Sequence, residues 1–331
     1  MTTRGTTYDA STRSAVITRS ASMSYELSSS YNNAGVAKST KSASCTATIT
    51  QGANKITSVY SVSVTAGAIT YNSGSTVGAG GLTATTGNST SATASATLQL
   101  ASGSTIAANT TYGTLTGPTY SWSETDSAGM ISFTSANSAT LSVTTASRGT
   151  SYSTSTRSAT LTRTASFKYT VKAEYTTSGS AVDKTNNASC STTIKQAANT
   201  ITISSVTVNK GALTNPAQYG AGESTKSVAN STAATASGVL KFSSGSEVEA
   251  NSTYGSWSGP TYSWSSNQTY ATLTSSNAAS LNVKMDSRGK TYSSTTRSAT
   301  ITRTASFTYT LSSTYGGASK SNSAGATATV T

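Results

Sequence analysis

With no histidine anywhere in 331 residues, acid–base chemistry near neutral pH falls to ten carboxylates. Only Glu124 with Asp126 and Glu247 with Glu249 stand close together in sequence. Two carboxylates two positions apart on an extended strand share one face. That is the raw material of a glycosidase, whose acid and base flank the bond to be cut. Neither pair recurs at the sister position of the repeat described below, so both read as solvated strand edges. Glu124 and Asp126, beside Trp122, also offer the oxygen ligands that Ca²⁺ takes, but two carboxylates do not fill a calcium shell. A Ser-His-Asp or Cys-His arrangement is excluded outright. The glycine-rich string VGAGG at residues 77–81 lacks the Gly-Lys-Ser/Thr ending and the following helix of a phosphate loop. The expectation is a chain with no catalytic residues, no cofactor and no metal.

Binding chemistry is better represented. Arg19, Arg163 and Arg303 occupy one repeated position, and Trp257 stands where the sister unit has Leu115. An exposed Trp stacks on sugars, but core or hairpin packing is the favoured reading of Trp257. Net charge is +12, from 22 basic and 10 acidic residues. The basic residues are scattered, no nucleic-acid motif accompanies them, and the aromatic residues sit at core-like positions. We therefore expect no nucleic-acid partner, but a diffuse positive surface that favours docking on something acidic. The two cysteines, Cys45 and Cys190, fall at the same point of successive repeats, and the third repeat has Ala326 there. Both read as small buried apolar residues rather than a disulfide.

The elements that must position these residues follow from a repeat. Residues 111–122, TYGTLTGPTYSW, return as residues 253–264, TYGSWSGPTYSW. Arg4-Gly5 returns as Arg148-Gly149 and Arg288-Gly289, and Gln51-Gly-Ala-Asn54 returns as Gln196-Ala-Ala-Asn199. Only 34% of residues are hydrophobic, but Thr, Tyr and Val at alternating positions suit a pleated, half-buried surface. In the middle repeat we read strands at 55–64, 91–100, 119–124, 130–133, 139–143, 157–171 and 189–195. Residues 66–87 read as a long loop with a short edge strand, and Gly117-Pro118 as a turn. About seven strands in roughly 140 residues, with a Trp buried in each core, is the pattern of an immunoglobulin-like sandwich. Trp122, Trp264, Phe167 and Phe307 mark the cores. The expected fold is all-β: an elongated array of tandem immunoglobulin-like β-sandwiches.

On strand 157–171, Ala159, Leu161, Ala165, Phe167, Tyr169 and Val171 share one face, and so does Arg163. An Arg in a core face is costly unless paired. We expect a β-bulge between Thr162 and Ala165 that turns Arg163 outward. Arg19, Arg163 and Arg303 would then be available for surface binding.

The Gln-x-Ala-Asn joint sets the phase. Residues 52–196 and 197–331 are two full units, and residues 1–51 are only the closing strands of another. Such strands, with one apolar face, cannot bury themselves. They need strands from another subunit, as in donor-strand arrangements. Alternatively they lie against a larger assembly, or the start lies inside a longer sequence.

The strings TYSWSSNQTYATLTSSNAASLNVK (261–284), RSATITRTASFTYTL (297–311) and CTATIT (45–50) resemble bacterial immunoglobulin-like repeats of group 2 (Big2-like). The Ser/Thr-rich kind with a Gln-x-Ala-Asn joint resembles repeats of Bacteroidetes and their phages. The chain departs from the pattern in its long 66–87 segment and its unit length. The resemblance implies surface display and no catalysis: a virion fibre or capsid decoration, a cell-surface adhesin or filament, or a glycan-binding module. The implied partners are other copies of the chain or a larger assembly, with surface glycans as a further ligand. The start, MTTRGTTYDASTRSAV, has no apolar h-region. No window approaches the roughly 18 apolar residues of a membrane helix, so no membrane insertion is expected. These features favour the virion over the cell surface or extracellular space.

Overall fold

The computed structural model describes residues 1–31, 38–274 and 277–331; Ser275 and Ser276, within the first of the strings quoted for the resemblance, lie outside the described residues. A hairpin comes first, of β1 (Arg13–Glu26) and β2 (Lys38–Gln51). The first sandwich opens with β3 (Ile56–Thr65), β4 (Ala68–Tyr71), β5 (Leu82–Thr90), β6 (Thr93–Leu100) and β7 (Thr105–Ala107). It closes with β8 (Gly113–Thr125), β9 (Ile131–Phe133), β10 (Ser142–Thr145), β11 (Arg157–Val171) and β12 (Val182–Gln196). The second sandwich opens with β13 (Ile201–Asn209), β14 (Ala212–Leu213), β15 (Ser224–Val228), β16 (Asn230–Thr232), β17 (Thr235–Phe242) and β18 (Glu247–Glu249). It closes with β19 (Gly255–Ser266), β20 (Ala271–Leu273), β21 (Leu281–Met285), β22 (Ala299–Leu311) and β23 (Ser319–Val330). The chain is thus an elongated, all-β array of tandem immunoglobulin-like sandwiches. Among the described residues there is no α-helix, and so no helix long and apolar enough to cross a membrane.

Each sandwich sets one long sheet against shorter ones, two in the first unit and three in the second. In the first, β12-β11-β8 faces both β3-β6-β7 and β4-β5-β10-β9. Strand β11 organises the unit, because its inward positions alternate without a break. Ala165, Phe167, Tyr169 and Val171 pack on Ile56, Val59, Val62, Leu98 and Leu100. Ala159 and Leu161 pack with Trp122, Tyr71, Met130 and Val143. Full burial of one such side chain contributes about 1.5–3 kcal/mol, so two small cores suffice without a large one. The second sandwich repeats the plan, with β19-β22-β23 as its long sheet. There Phe307 is buried, and Trp264 is half-buried against the core containing Ile301 and Val283.

The structure corrects three readings. Residues 66–87 are no long loop: they hold β4 and most of β5, whose Thr-rich strand buries only Thr86 and so shows no alternation. Gly117-Pro118 is not a turn but a bulge inside β8, where the register against β11 shifts between Ser166 and Lys168. Gly117 is needed there: its φ is 116°, and an added Cβ would lie 2.7 Å from the Ser166 carbonyl oxygen. The expected bulge between Thr162 and Ala165 does not exist. The β11–β12 register runs unbroken from Arg157 opposite Gln196 to Val171 opposite Val182, so Arg163 keeps its inward direction.

Buried phenols make alkali the weak side of the fold. Tyr169 donates its hydroxyl proton to the Asn109 carbonyl (2.6 Å), and Tyr309 does the same to Asn251 (2.7 Å). Tyr71 and Tyr219 bond to strand carbonyls in the other cores. Burial raises the pKa of all four above the ordinary 10.0. Above that pH the unfolded chain holds fewer protons than the folded one, so stability falls as pH rises. Denaturant midpoints should be flat from about pH 7 to 9 and drop beyond about pH 10. Tyr169→Phe should make that drop shallower, and an unchanged slope would refute this origin.

Candidate assembly surface

Among the described residues, the hairpin β1–β2 matches two of the three strands of a long sheet, β11 and β12, and lacks both the third strand and the covering sheets. Its register pairs Ala15 with Ile49, Ile17 with Ala47, Arg19 with Cys45 and Ala21 with Ala43. These correspond to Ala159 with Ile194, Leu161 with Thr192, Arg163 with Cys190 and Ala165 with Ala188. In β11 the inward residues are buried, whereas in β1 every residue is exposed. Ile17 is 54% exposed, Met23 80%, Tyr25 71% and Ile49 42%. The opposite face is finished. It carries a hydroxyl ladder of Ser20–Ser44, Ser22–Ser42 and Ser24–Thr40 pairs, each 2.8 Å apart. A complete sandwich has the same outer pairing at Thr164–Ser189.

Arg19 shows most clearly what is missing. In the first sandwich Arg163 is wholly buried at the seam between the two covering sheets. Its guanidinium donates to the carbonyl oxygens of Ala66 (2.7 Å) and Ala139 (2.9 Å) and to Asn88 Oδ1 (2.8 Å). It also lies 5.1 Å over the Tyr120 ring. Arg303 is equally buried, donates to Asn230 and to the Lys210 carbonyl, and sits 5.1 Å over Tyr262. Arg163 and Arg303 are therefore not surface-binding residues. They satisfy carbonyls that end where one covering sheet gives way to the next. Arg19 alone of the three is exposed.

Cysteine burial follows the same division. Cys190 packs half-buried against the core, and Cys45, expected to be buried, is exposed beside Arg19. Trp257 is no exposed sugar platform. It is half-buried, 5.0 Å from the Tyr309 ring, and lies over Gly238, whose added Cβ would meet its ring at 3.4 Å. The sister pair is Leu115 and Ala96, so a larger side chain here accompanies a smaller one there. The carboxylates are dispersed. Asp126 accepts from the backbone N–H groups of Ala128 and Ile131 and closes a turn, while Glu247 faces Lys241 at 3.9 Å. Among the described residues, no group of three or more potential ligands could hold a metal ion.

The repeated dipeptides meet at the joints. Asn199 is buried and donates to the carbonyls of Gly149 and Ser151 (both 2.9 Å), while its Oδ1 accepts from Ser244 N–H (2.8 Å). Asn54 does the same with Gly5 (3.2 Å), Thr7 (2.8 Å) and Ser102 (2.8 Å). Tyrosine trios flank these contacts. Tyr8 packs 5.5 Å from both Tyr112 and Tyr175, and Tyr152 packs 4.7 Å from Tyr315. The hairpin is therefore anchored at its root, although its apolar face is bare. Arg-Gly and Gln-x-Ala-Asn are each visible as repeats, and their nearly equal separation, 47 and 48 positions, is a signal that they fold together.

No family model matches the chain, and no curated protein matches it. Among solved structures, PcdhgB3 EC1-4 is similar at a TM-score of 0.17 and 10% identity, over 96% of this chain and 66% of that one. The endo-fucoidan hydrolase MfFcnA4 from glycoside hydrolase family 107 is similar at a TM-score of 0.15 and 10% identity, over 98% of this chain and 42% of that one. The fold assignment rests on the sheets described above.

Proposed function

We propose that this chain is a non-enzymatic structural component of a larger assembly, attached through residues 1–51. Strands from outside residues 1–331 complete the hairpin into a sandwich. The observation that carries this reading is Arg19: its two counterparts are fully buried on three or fewer acceptors, and it has a core-type position with nothing over it. The covering strands must bring carbonyl or amide oxygens to Arg19 and apolar side chains to Ile17, Met23 and Ile49. A face-to-face pairing of two hairpins is disfavoured, because it would bring two copies of Arg19 and Lys41 together without an acid. The non-enzymatic reading is supported by the lack of histidine and by the turn-closing and ion-pairing roles of Asp126 and Glu247. Resemblance to Big2-like repeats supports surface display, as a virion fibre or capsid decoration or as a cell-surface adhesin.

Thiol footprinting tests attachment through the hairpin. In the isolated chain Cys45 should react much faster than Cys190. In the native assembly Cys45 should be protected, and the chain should co-purify with virions. A Cys45 that stays fully reactive in the assembly refutes the attachment.

A further inference from the structure

The Asn54 and Asn199 joints share a backbone and differ in one carboxylate. Arg4-Gly5 and Arg148-Gly149 open the same turn, with glycine φ angles of 56° and 55°. Thr7 N–H donates to the Arg4 carbonyl (3.4 Å), as Ser151 N–H does to that of Arg148 (3.1 Å). Asp9 then bridges to Asn54 through the backbone, and Ser153 bridges to Asn199 in the same antiparallel sense. Position for position, Ser153 stands where Asp9 stands. The contacts of Asp9 define a carboxylate cradle. Its Oδ2 accepts from Arg4 Nη1 (2.6 Å), and its Oδ1 accepts from the N–H (2.8 Å) and the hydroxyl (2.6 Å) of Ser11. Such bonds to an ionised acceptor are the strong kind. The hydrogen bonds from Ser11, and then the Arg4 charge, hold the Asp9 pKa below the ordinary carboxylate value.

In the second joint the donors of this cradle remain and the carboxylate does not. Among the described residues, the Arg148 side chain makes no hydrogen bond and no ion pair, and its buried Nε has no acceptor. Burial, and then the neighbouring Arg157 charge, lower its pKa. Arg157 itself is committed to Gln196 Oε1 and the Ala146 carbonyl. Ser155, at the position of Ser11, turns its N–H and its hydroxyl to Ser153 Oγ, each at 3.3 Å and so longer than the bonds to Asp9. Ser155 is exposed and Ser153 half-buried, so the cradle opens to solvent. We propose that Arg148, Ser153 and Ser155 form a docking site for an acidic side chain of a partner polypeptide. One carboxylate oxygen takes the Arg148 guanidinium, and the other takes the N–H and hydroxyl of Ser155. The backbone pairing with Asn199 is already made by Ser153, so only a side-chain tip enters and no strand is added. The net charge of +12 draws an acidic partner towards it. An amide in the same place would set its own N–H donors against donors. The site lies between the two sandwiches, and it stands or falls independently of attachment through the hairpin.

The test titrates the full chain by NMR with two peptides, acetyl-Ala-Asp-Ala-amide and acetyl-Ala-Asn-Ala-amide. The Asp peptide should shift the amide signals of Gly149, Ser153 and Ser155, and the Asn peptide should bind at least about tenfold more weakly. Arg148→Gln should weaken the Asp peptide by a similar factor. Ser153→Asp should fill the cradle from within and abolish the response, with the dispersion of the remaining spectrum kept. Conversely, Asp9→Ser should empty the first cradle and give the Asp peptide new shifts at Gly5 and Ser11. Arg288, Ser293 and Thr295 repeat the residue types, so binding at the second joint is read at residues 148–155 alone. No shift at residues 148–155, equal binding of the two peptides, a response that survives Ser153→Asp, or a silent Asp9→Ser chain would each overturn the proposal. Acetate or inorganic phosphate that binds these residues more tightly than the Asp peptide would overturn the choice of a polypeptide side chain as occupant.

Discussion

Arg163→Ala should unfold the first sandwich at temperatures where the parent chain is intact, while Arg19→Ala leaves the isolated chain's stability unchanged. The two residues hold the same position in the repeat, so the contrast isolates what the covering sheets contribute. Removing Arg163 strips the Ala66 and Ala139 carbonyls and Asn88 Oδ1 of their donor in a place water does not reach, and leaves a void beneath Tyr120. Leaving these neutral buried acceptors without a donor costs about 1–3 kcal/mol apiece, on the order of 3–5 kcal/mol in all. Against a typical domain stability of about 5–15 kcal/mol, that is a large share. The corresponding fall in melting temperature is roughly 10–15 °C for a unit of this size. Arg163→Lys should fall between, because one ammonium cannot reach three acceptors held in a fork-like arrangement. Arg163→Met should restore packing volume but not stability, since the carbonyls stay unpaired. Calorimetry on the parent and the four variants decides it. If Arg163→Ala melts with the parent, the seam carbonyls are satisfied some other way and the account of Arg19 loses its basis.

How much of this was legible in the sequence depended on how strictly a segment alternates. Strand β11 was read correctly to the residue, because a run of 15 residues with one apolar parity admits few other structures. The β9–β10 hairpin was legible through Ser-Ala-Asn, whose Asn137 side chain accepts from Tyr120 N–H at 2.6 Å. Strands β4 and β5 were lost. They are short, rich in Thr and Gly, and bury little, so composition made them look like a loop. Arg163 does stand on the core face, as the parity of the strand requires, but buried acceptors rather than an outward bulge accommodate it. The cost of an unpaired buried arginine is a sound expectation, but a sequence does not display carbonyls that end at a seam between two sheets. A usable hint was present: Asn88 and Asn230 recur at nearly constant distance before Arg163 and Arg303, as acceptor and donor would. The exposed hairpin is the most legible feature of the candidate site, because counting copies of the repeat needs no knowledge of packing.

Asn199→Ala is expected to uncouple the two sandwiches without unfolding either. The side chain is wholly buried and makes three hydrogen bonds to two segments from different units: the Gly149–Ser151 stretch and the Ser244 turn. Ser244 Oγ also donates to Gly149 at 2.5 Å, so that carbonyl keeps one partner when the amide is lost, while the Ser151 carbonyl loses its amide donor. The expected cost is about 3 kcal/mol, roughly a hundredfold in the opening equilibrium of the joint. Cores on either side contain no atom of Asn199, so their melting should move little. Limited proteolysis is the sensitive readout: cleavage within residues 148–154 should accelerate, while the two sandwiches persist as fragments. Asn199→Asp should be no milder. It keeps an acceptor for Ser244 N–H but sets a carboxylate against two carbonyl oxygens. The equivalent Asn54→Ala should free residues 1–12 and the hairpin root in the same way, because Asn54 bonds Gly5, Thr7 and Ser102. Equal effects at the two sites would mean that one local device sets every joint. A hairpin aimed by that device presents its bare face in a defined direction, which the proposed covering strands need in order to complete it.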